Sequence, residues 1–205
     1  LSTALLILLF IMLYKLGDAL LGTMTNPFYV DLGFTKPEVA TIVKGYGLIA
    51  TLLGGFLGGV VVNRRGIVPA LWICGVIQMA SNLVFVLQAW VGKDLAMLAV
   101  TISVENLAGG MGTAAFVAYL SSLCNLSYTA TQYALLSSFM AQARTTLSAG
   151  GGYLAASMDW VSFFLTTTAA AIPGLLLLLW LQRRLGGPSP NAVKPLEAIA
   201  GTGRA

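Results

Sequence analysis

Of 205 residues, 58% are hydrophobic and only 9% charged, with a net charge of +4, against roughly a quarter charged in a typical soluble domain. Such a chain cannot clothe itself in a water-facing surface, and its complete lack of histidine excludes Ser-His hydrolysis, His-ligated metals and haem. Arg64, Arg65, Arg183 and Arg184 all fall at predicted helix ends, where membrane topology accounts for the surplus of base and nucleic-acid binding does not.

The apolar residues come in runs of about twenty or more, the length a helix needs to cross a hydrocarbon core of about 30 Å. The first run covers about 3–25. It is too long for a signal peptide and lacks a basic front and a small-residue cleavage site. Because the chain enters it directly at Leu1 without methionine, the sequence reads as a fragment beginning inside a longer protein. Asn26-Pro27 and the stretch from Asp31 to Pro37 are expected to break the chain before a second span at about 38–62. Asn63-Arg64-Arg65-Gly66 separates that span from a third at about 67–90, and Gly92-Lys93-Asp94 leads to a fourth at about 95–123. A connection from Asn125 to Thr131 precedes a fifth at about 132–156, and the region around Asp159 a sixth at about 161–182. Residues 1–185 thus read as one six-helix bundle. The Gly-, Pro-, Ser- and Ala-rich residues 186–205 read as a disordered cytoplasmic tail. Cys74 and Cys124 lie in or at the end of apolar runs and read as reduced, buried hydrophobes.

Alternate connections set the orientation. One face receives Arg64, Arg65, Arg183, Arg184, Lys194 and Arg204, the other only Lys36 and Lys93, which predicts that both chain ends are cytoplasmic. Trp72, Trp90, Trp160 and Trp180 fall near predicted helix ends, as an interfacial belt requires.

Five ionisable residues interrupt the spans: Lys15, Asp18, Lys44, Glu105 and Arg144. Each costs about 2.5–3.5 kcal/mol at a helix centre on insertion scales, so they should face one another or a wet cavity. At about 1.5 Å per residue, Lys15, Glu105 and Arg144 come near mid-membrane, with Asp18 and Lys44 about a turn nearer the outside. Matched depth predicts Glu105–Arg144 and Lys44–Asp18 pairs, and the three-residue spacing of Lys15 and Asp18 puts both on one helix face. Helices three and six carry no charge; Gln78, Ser81 and Asn82 are the strong polar groups of helix three. A polar centre on helices one, two, four and five with two apolar supports is the arrangement of half a major-facilitator transporter, two inverted three-helix repeats around a midplane site. The fold class is therefore an all-α membrane protein with six transmembrane helices. Gly54, Gly55, Gly58 and Gly59 form two overlapping G-x-x-x-G patterns that predict close helix packing or bending, as do the clusters Gly109, Gly110, Gly112 and Gly150 to Gly152. An intramembrane enzyme would need a nucleophile with its base, or paired aspartates. Asp18 is the one aspartate clearly inside a span, so the chain reads as a non-enzyme.

Gly59-Val-Val-Val-Asn63-Arg64-Arg65-Gly66 resembles the G-x-x-x-D-R-x-G gating loop of the major facilitator superfamily, with Asn63 in place of the acid. Leu13-Tyr14-Lys15-Leu16-Gly17-Asp18-Ala19, the stretch from Lys44-Gly45-Tyr46-Gly47 to Thr51, the stretch from Val104-Glu105-Asn106 to Ala118, Ser122-Leu123-Cys124-Asn125 and the stretch from Ala130-Thr131-Gln132-Tyr133 to Ser137 resemble the C-terminal part of AmpG-type muropeptide permeases. That resemblance, over nearly the whole chain to about Leu181, implies proton-driven import of anhydro-muropeptides across the bacterial inner membrane. It implies a proton gradient and no cofactor, and the N-terminal half of the same protein as partner. Lys15, Lys44 and Arg144 would then meet substrate anions, Asn106 and Gln142 its sugar or amide groups, and Asp18 and Glu105 would carry the proton. Ser148-Ala149-Gly150 stands where the family tends to have G-P-x. The alternatives are another major-facilitator transporter, for drug or metabolite efflux or an acyl-CoA-like anion, or a non-transporting six-helix membrane fragment.

Overall fold

The computed structural model describes residues 3–123 and 129–185. The expected tail and most of the fourth-to-fifth connection, Cys124 included, lie outside the described residues. Every regular element among the described residues is helical, and together they make six rods. The first rod is α1 (Thr3–Tyr14) and α2 (Leu16–Asp31), interrupted at Lys15. The second is α3 (Lys36–Ile42), a π-helical turn (Val43–Gly47) and α4 (Leu48–Arg65). Rods three to six are α5 (Ile67–Val91), α6 (Leu95–Leu123), α7 (Thr129–Ser157) and α8 (Trp160–Leu185). Five rods are long and apolar enough to cross a membrane. At 29 residues, or about 43 Å, α7 is also long enough, but it is interrupted by Gln142, Arg144, Thr145 and Thr146.

Rod starts follow side-chain capping. Thr35 accepts from the Glu38 N–H while Glu38 accepts from the Thr35 N–H at 2.7 Å. Asp94 accepts from the Met97 N–H at 2.6 Å and Asp159 from the Ser162 N–H at 3.1 Å, each quenching an N-terminal amide with no intrahelical partner. Gly66 and Gly92 close the preceding rods at φ of +84° and +78°, a region open to glycine and strained for most other residues. One expected boundary moves: α2 runs through Asn26-Pro27 to Asp31. The Thr25 hydroxyl donates to the carbonyls of Leu21 and Gly22 at 3.2 and 3.1 Å, supplying side-chain hydrogen bonds in the turn before the proline, the usual way a membrane helix tolerates one.

Rod two packs on rod four, rod one on rod five, rod three on rods four and six, and rod one on rod six. Exchanging rods 1–3 with rods 4–6 maps this pattern onto itself, the signature of two inverted three-helix repeats. Glycines set the tightest crossings. A methyl group on Gly54 or Gly58 of α4 would overlap the α6 backbone at Leu107 and Met111, whereas Gly55 and Gly59 face open space. One of the two overlapping glycine patterns therefore forms the interface. In the related crossing, Gly151 of α7 lies against Leu20 and Thr23 of α2.

Two apolar cores lie at different heights. One gathers Phe10, Tyr14, Leu71, Cys74, Phe116 and Leu178, and the other Phe28, Phe85, Ile102, Phe163 and Phe164. On rod one, α5 and α6 alike, the residues between the two cores are the polar ones: Lys15 and Asp18, Gln78 to Asn82, Glu105 and Asn106. The bundle thus holds a polar layer at mid-height.

Candidate functional site

Lys15 occupies the break between α1 and α2 with φ −98° and ψ 3°, the sparsely populated bridge region between helix and strand. Its carbonyl still accepts from the Ala19 N–H at 2.9 Å, so the rod continues. Its ammonium donates to Asp18 Oδ2 at 3.0 Å and lies 6.0 Å from the Phe116 ring centroid. Phe116 is in turn stacked on Tyr14, at 5.3 Å and 8°, whose hydroxyl donates to the Leu71 carbonyl at 3.1 Å. The Lys15 side chain is 16% exposed and that of Asp18 26%, so the pair is sheltered without being sealed. Asp18 Oδ2 accepts a second hydrogen bond, from the Gln78 amide of α5. Gln78 reaches it because Gly112 of α6 leaves the room: a Cβ there would overlap the Gln78 side-chain oxygen.

Glu105 on α6 accepts from the Asn106 amide at 2.9 Å, and Asn106 accepts from the Thr51 hydroxyl of α4 at 3.0 Å. Thr51 also donates to the Gly47 carbonyl at 2.8 Å, which ties Glu105 to the π-helical turn bearing Lys44. The charges within electrostatic reach of Glu105 are Asp18, Arg144 and Lys15, so four of the five intramembrane charges share one neighbourhood.

The expected pairings are not those observed. Lys44 and Arg144 make no ion pair among the described residues. Asp18 takes Lys15, its own-helix neighbour, instead of Lys44, because a three-residue spacing closes a pair without any tertiary fit. Glu105 and Arg144 stay apart because α7 packs chiefly on α2 and little on α6, which sets the Arg144 guanidinium over Gly22, 3.6 Å from where a Cβ would stand. Lys44, Gln142 and Arg144 are exposed; the Gln142 amide donates to the Thr146 hydroxyl at 3.4 Å. Two positive side chains thus present themselves beside a layer that already holds its own acid–base pair.

The sequence has clear relatives. It is 44% identical over 179 residues to AmpG 4 of Rickettsia conorii, covering 87% of this chain and 43% of that protein. It is 43% identical over 185 residues to the anhydromuropeptide permease of Escherichia coli K12, covering 90% of this chain and 38% of the permease. With AmpG 1 of Rickettsia prowazekii it shares 38% identity over 180 residues, 88% of this chain and 41% of that one. Its relatives are AmpG-type permeases. The chain spans about two-fifths of their length and matches their C-terminal portion. No family model matches the chain.

The residues expected to form a gating loop separate into different settings. Gly59 lies within α4 facing open space, Asn63 and Arg64 are exposed on its last turn, and Gly66 makes the positive-φ corner into α5. Asn63 and Arg64 form no ion pair or side-chain hydrogen bond among the described residues. The Ser148-Ala149-Gly150 segment is continuous α-helix. Sequence reasoning undervalued Gln78 by treating its helix as an apolar support, although a glutamine in an otherwise apolar run is itself a signal of a buried polar partner. Thr51, which joins Asn106 to the π-helical turn, closes the family-like stretch that begins at Lys44, but nothing in the sequence assigned it a role.

Proposed function

We propose that this chain is the C-terminal half of a proton-coupled permease that imports anhydro-muropeptides across the bacterial inner membrane, with both chain ends cytoplasmic and no cofactor beyond the proton gradient. One observation carries the reading: Lys44 and Arg144 are exposed cations that close no ion pair among the described residues, next to a polar layer that holds Asp18 and Glu105. An unneutralised base in a membrane favours an anionic guest, and a muropeptide carries peptide carboxylates. Lys44 and Arg144 make the outer anion contacts, and Lys15 becomes available when Asp18 takes up a proton. Asn106 and Gln142 bond sugar or amide groups. Glu105 and Asp18 carry the proton, since a bare carboxylate crossing a closed, dry gate is costly. Gly59, Asn63, Arg64 and Gly66 form the hinge where rods two and three join. The remaining part of the full-length permease supplies the opposite wall of the chamber.

Uptake of labelled anhydro-muropeptide into right-side-out vesicles carrying the full-length permease tests this. Accumulation should collapse with a protonophore and be lost in Glu105→Gln. Undiminished proton-driven accumulation in that variant removes Glu105 from coupling, and outward flux alone points to export of another solute.

A further inference from the structure

Beside Asp18, a cavity of about 10 Å³ opens between α2, α5 and α8, with Tyr14 of α1 in its wall. One water needs about 10–15 Å³ and two to four polar partners. Three groups lining this cavity offer them. Lys15 and Gln78 both bond Oδ2 of Asp18, so Oδ1 has no protein donor among the described residues. Asn82 is 3% exposed, yet its amide makes no hydrogen bond among the described residues. No fully enclosed side-chain nitrogen or oxygen lacks a partner among the described residues, so the Asn82 amide keeps a small accessible surface, and the cavity it lines provides it. Tyr14 adds its hydroxyl oxygen to the wall, one lone pair free beyond the bond it donates to Leu71.

We infer that this cavity is a binding site for one water that donates to Asp18 Oδ1 and is held by the Asn82 amide, which makes Asn82 a positioning residue for the Asp18 carboxyl. A cation is the poorer occupant, because the Lys15 ammonium already neutralises Asp18 at 3.0 Å. The water fills the hydrogen-bonding position that Lys15 and Gln78 leave open on the Asp18 carboxylate and so fixes its orientation. The other charged or titratable groups facing Asp18 are Lys15 at the helix break, Tyr14 on α1 and Glu105 on α6; α8 contributes only Ala171 and Leu175 to the cavity wall. The transport consequence rests on the proposed coupling role of Asp18, whereas the water site itself does not.

The test is infrared difference spectroscopy of full-length permease in membranes, with the Asp18 carboxyl band identified by its loss in Asp18→Asn. Asn82→Leu fills the cavity and removes the amide, and should shift the Asp18 band as the carboxylate loses one hydrogen bond. Asn82→Ala removes the amide but leaves room for water, and should shift the band in the same direction and less. A merely packing role gives the reverse order, with Ala the more disruptive, and that order or two unshifted bands overturns the inference. In the wild type, the same measurement in oxygen-18 water should reveal an isotope-shifted water band that Asn82→Leu abolishes. Its absence overturns the site without any variant. Proton-driven uptake that survives Asp18→Asn would instead defeat the coupling role of Asp18, and the isotope result still decides the water.

Discussion

At the scale of single residues, the polar layer divides into groups satisfied within the bundle and groups that are not. Arg144 belongs to the second kind, so Arg144→Ala should leave the amount of folded protein unchanged. A lost charged hydrogen bond is worth about 1.5–3 kcal/mol, so the substrate concentration for half-maximal uptake should rise by roughly ten- to a hundredfold, read from the concentration dependence in vesicles. Gln78 belongs to the first kind. Gly112→Ala would push its amide off Asp18 and should lower stability by about 1–3 kcal/mol, seen as a fall in Tm in detergent. Adding Gln78→Ala to that variant should cost little more, because both changes break the same contact. The five intramembrane charges were legible from sequence because a charge in an apolar run is conspicuous. Their partners were not, since depth along a helix says nothing about which helices are neighbours. Only Lys15–Asp18 could be read directly, and it could because its geometry is local.

At the scale of elements, five of the six spans were legible to within about three residues because run length and capping chemistry are written in the sequence, whereas the first runs past its expected end through Asn26-Pro27 to Asp31. The break at Lys15 and the π-helical turn at Val43–Gly47 were not. Both occur in runs of continuous apolar character, and each is held from outside its own rod: the first by the Tyr14–Phe116 stack and Gln78, the second by Ile102 and Asn106 lying against Gly47. Each irregular turn carries a lysine, and π-helical turns are frequent at functional sites. The glycines of α4 allow a sharper test. Gly54→Ala and Gly58→Ala should reduce Tm, because the new methyl meets the α6 backbone. Gly55→Ala faces open space and should hold or raise Tm, through the roughly 1 kcal/mol advantage of alanine over glycine in a helix. Equal losses at all three positions would mean that α4 and α6 do not cross where these glycines place them. The cap of α8 has a pH signature. Hydrogen bonds from the Ser162 hydroxyl and then the Ser162 backbone N–H hold the Asp159 carboxyl below its usual range, so its folded value lies under its unfolded one. The cap therefore stabilises above the ordinary aspartate range near pH 3.9, and the contribution fades as pH falls through the depressed folded value. Thermal melts of Asp159→Asn, which keeps a capping oxygen without the charge, should show a flatter dependence on acid than the wild type, and a small one, since the group is fully exposed.

At the scale of the whole molecule, the packing of the rods maps onto itself when the two three-rod repeats are exchanged, and the polar layer lies between the two apolar cores that this packing creates. That architecture was legible from the distribution of charge over four of six spans. The division of labour was less absolute than the sequence suggested, because α5, an uncharged support, sends Gln78 into the layer. The same geometry predicts which surface meets water if the chain works as the transporter half proposed above. Lys44 and Gln142 are exposed polar residues on rods two and five, while Phe56 is 70% exposed on α4 and apolar, which suits lipid or another apolar surface. In a background with Cys74 and Cys124 replaced by serine, Lys44→Cys and Gln142→Cys should react with a membrane-impermeant thiol reagent, and Phe56→Cys should react far more slowly. Saturating anhydro-muropeptide should slow labelling at the first two positions if their surface is the cargo path. Equal labelling at all three positions, indifferent to substrate, would mean that the exposed cations border no wet chamber, and the transport reading of the polar layer would then lose its physical basis.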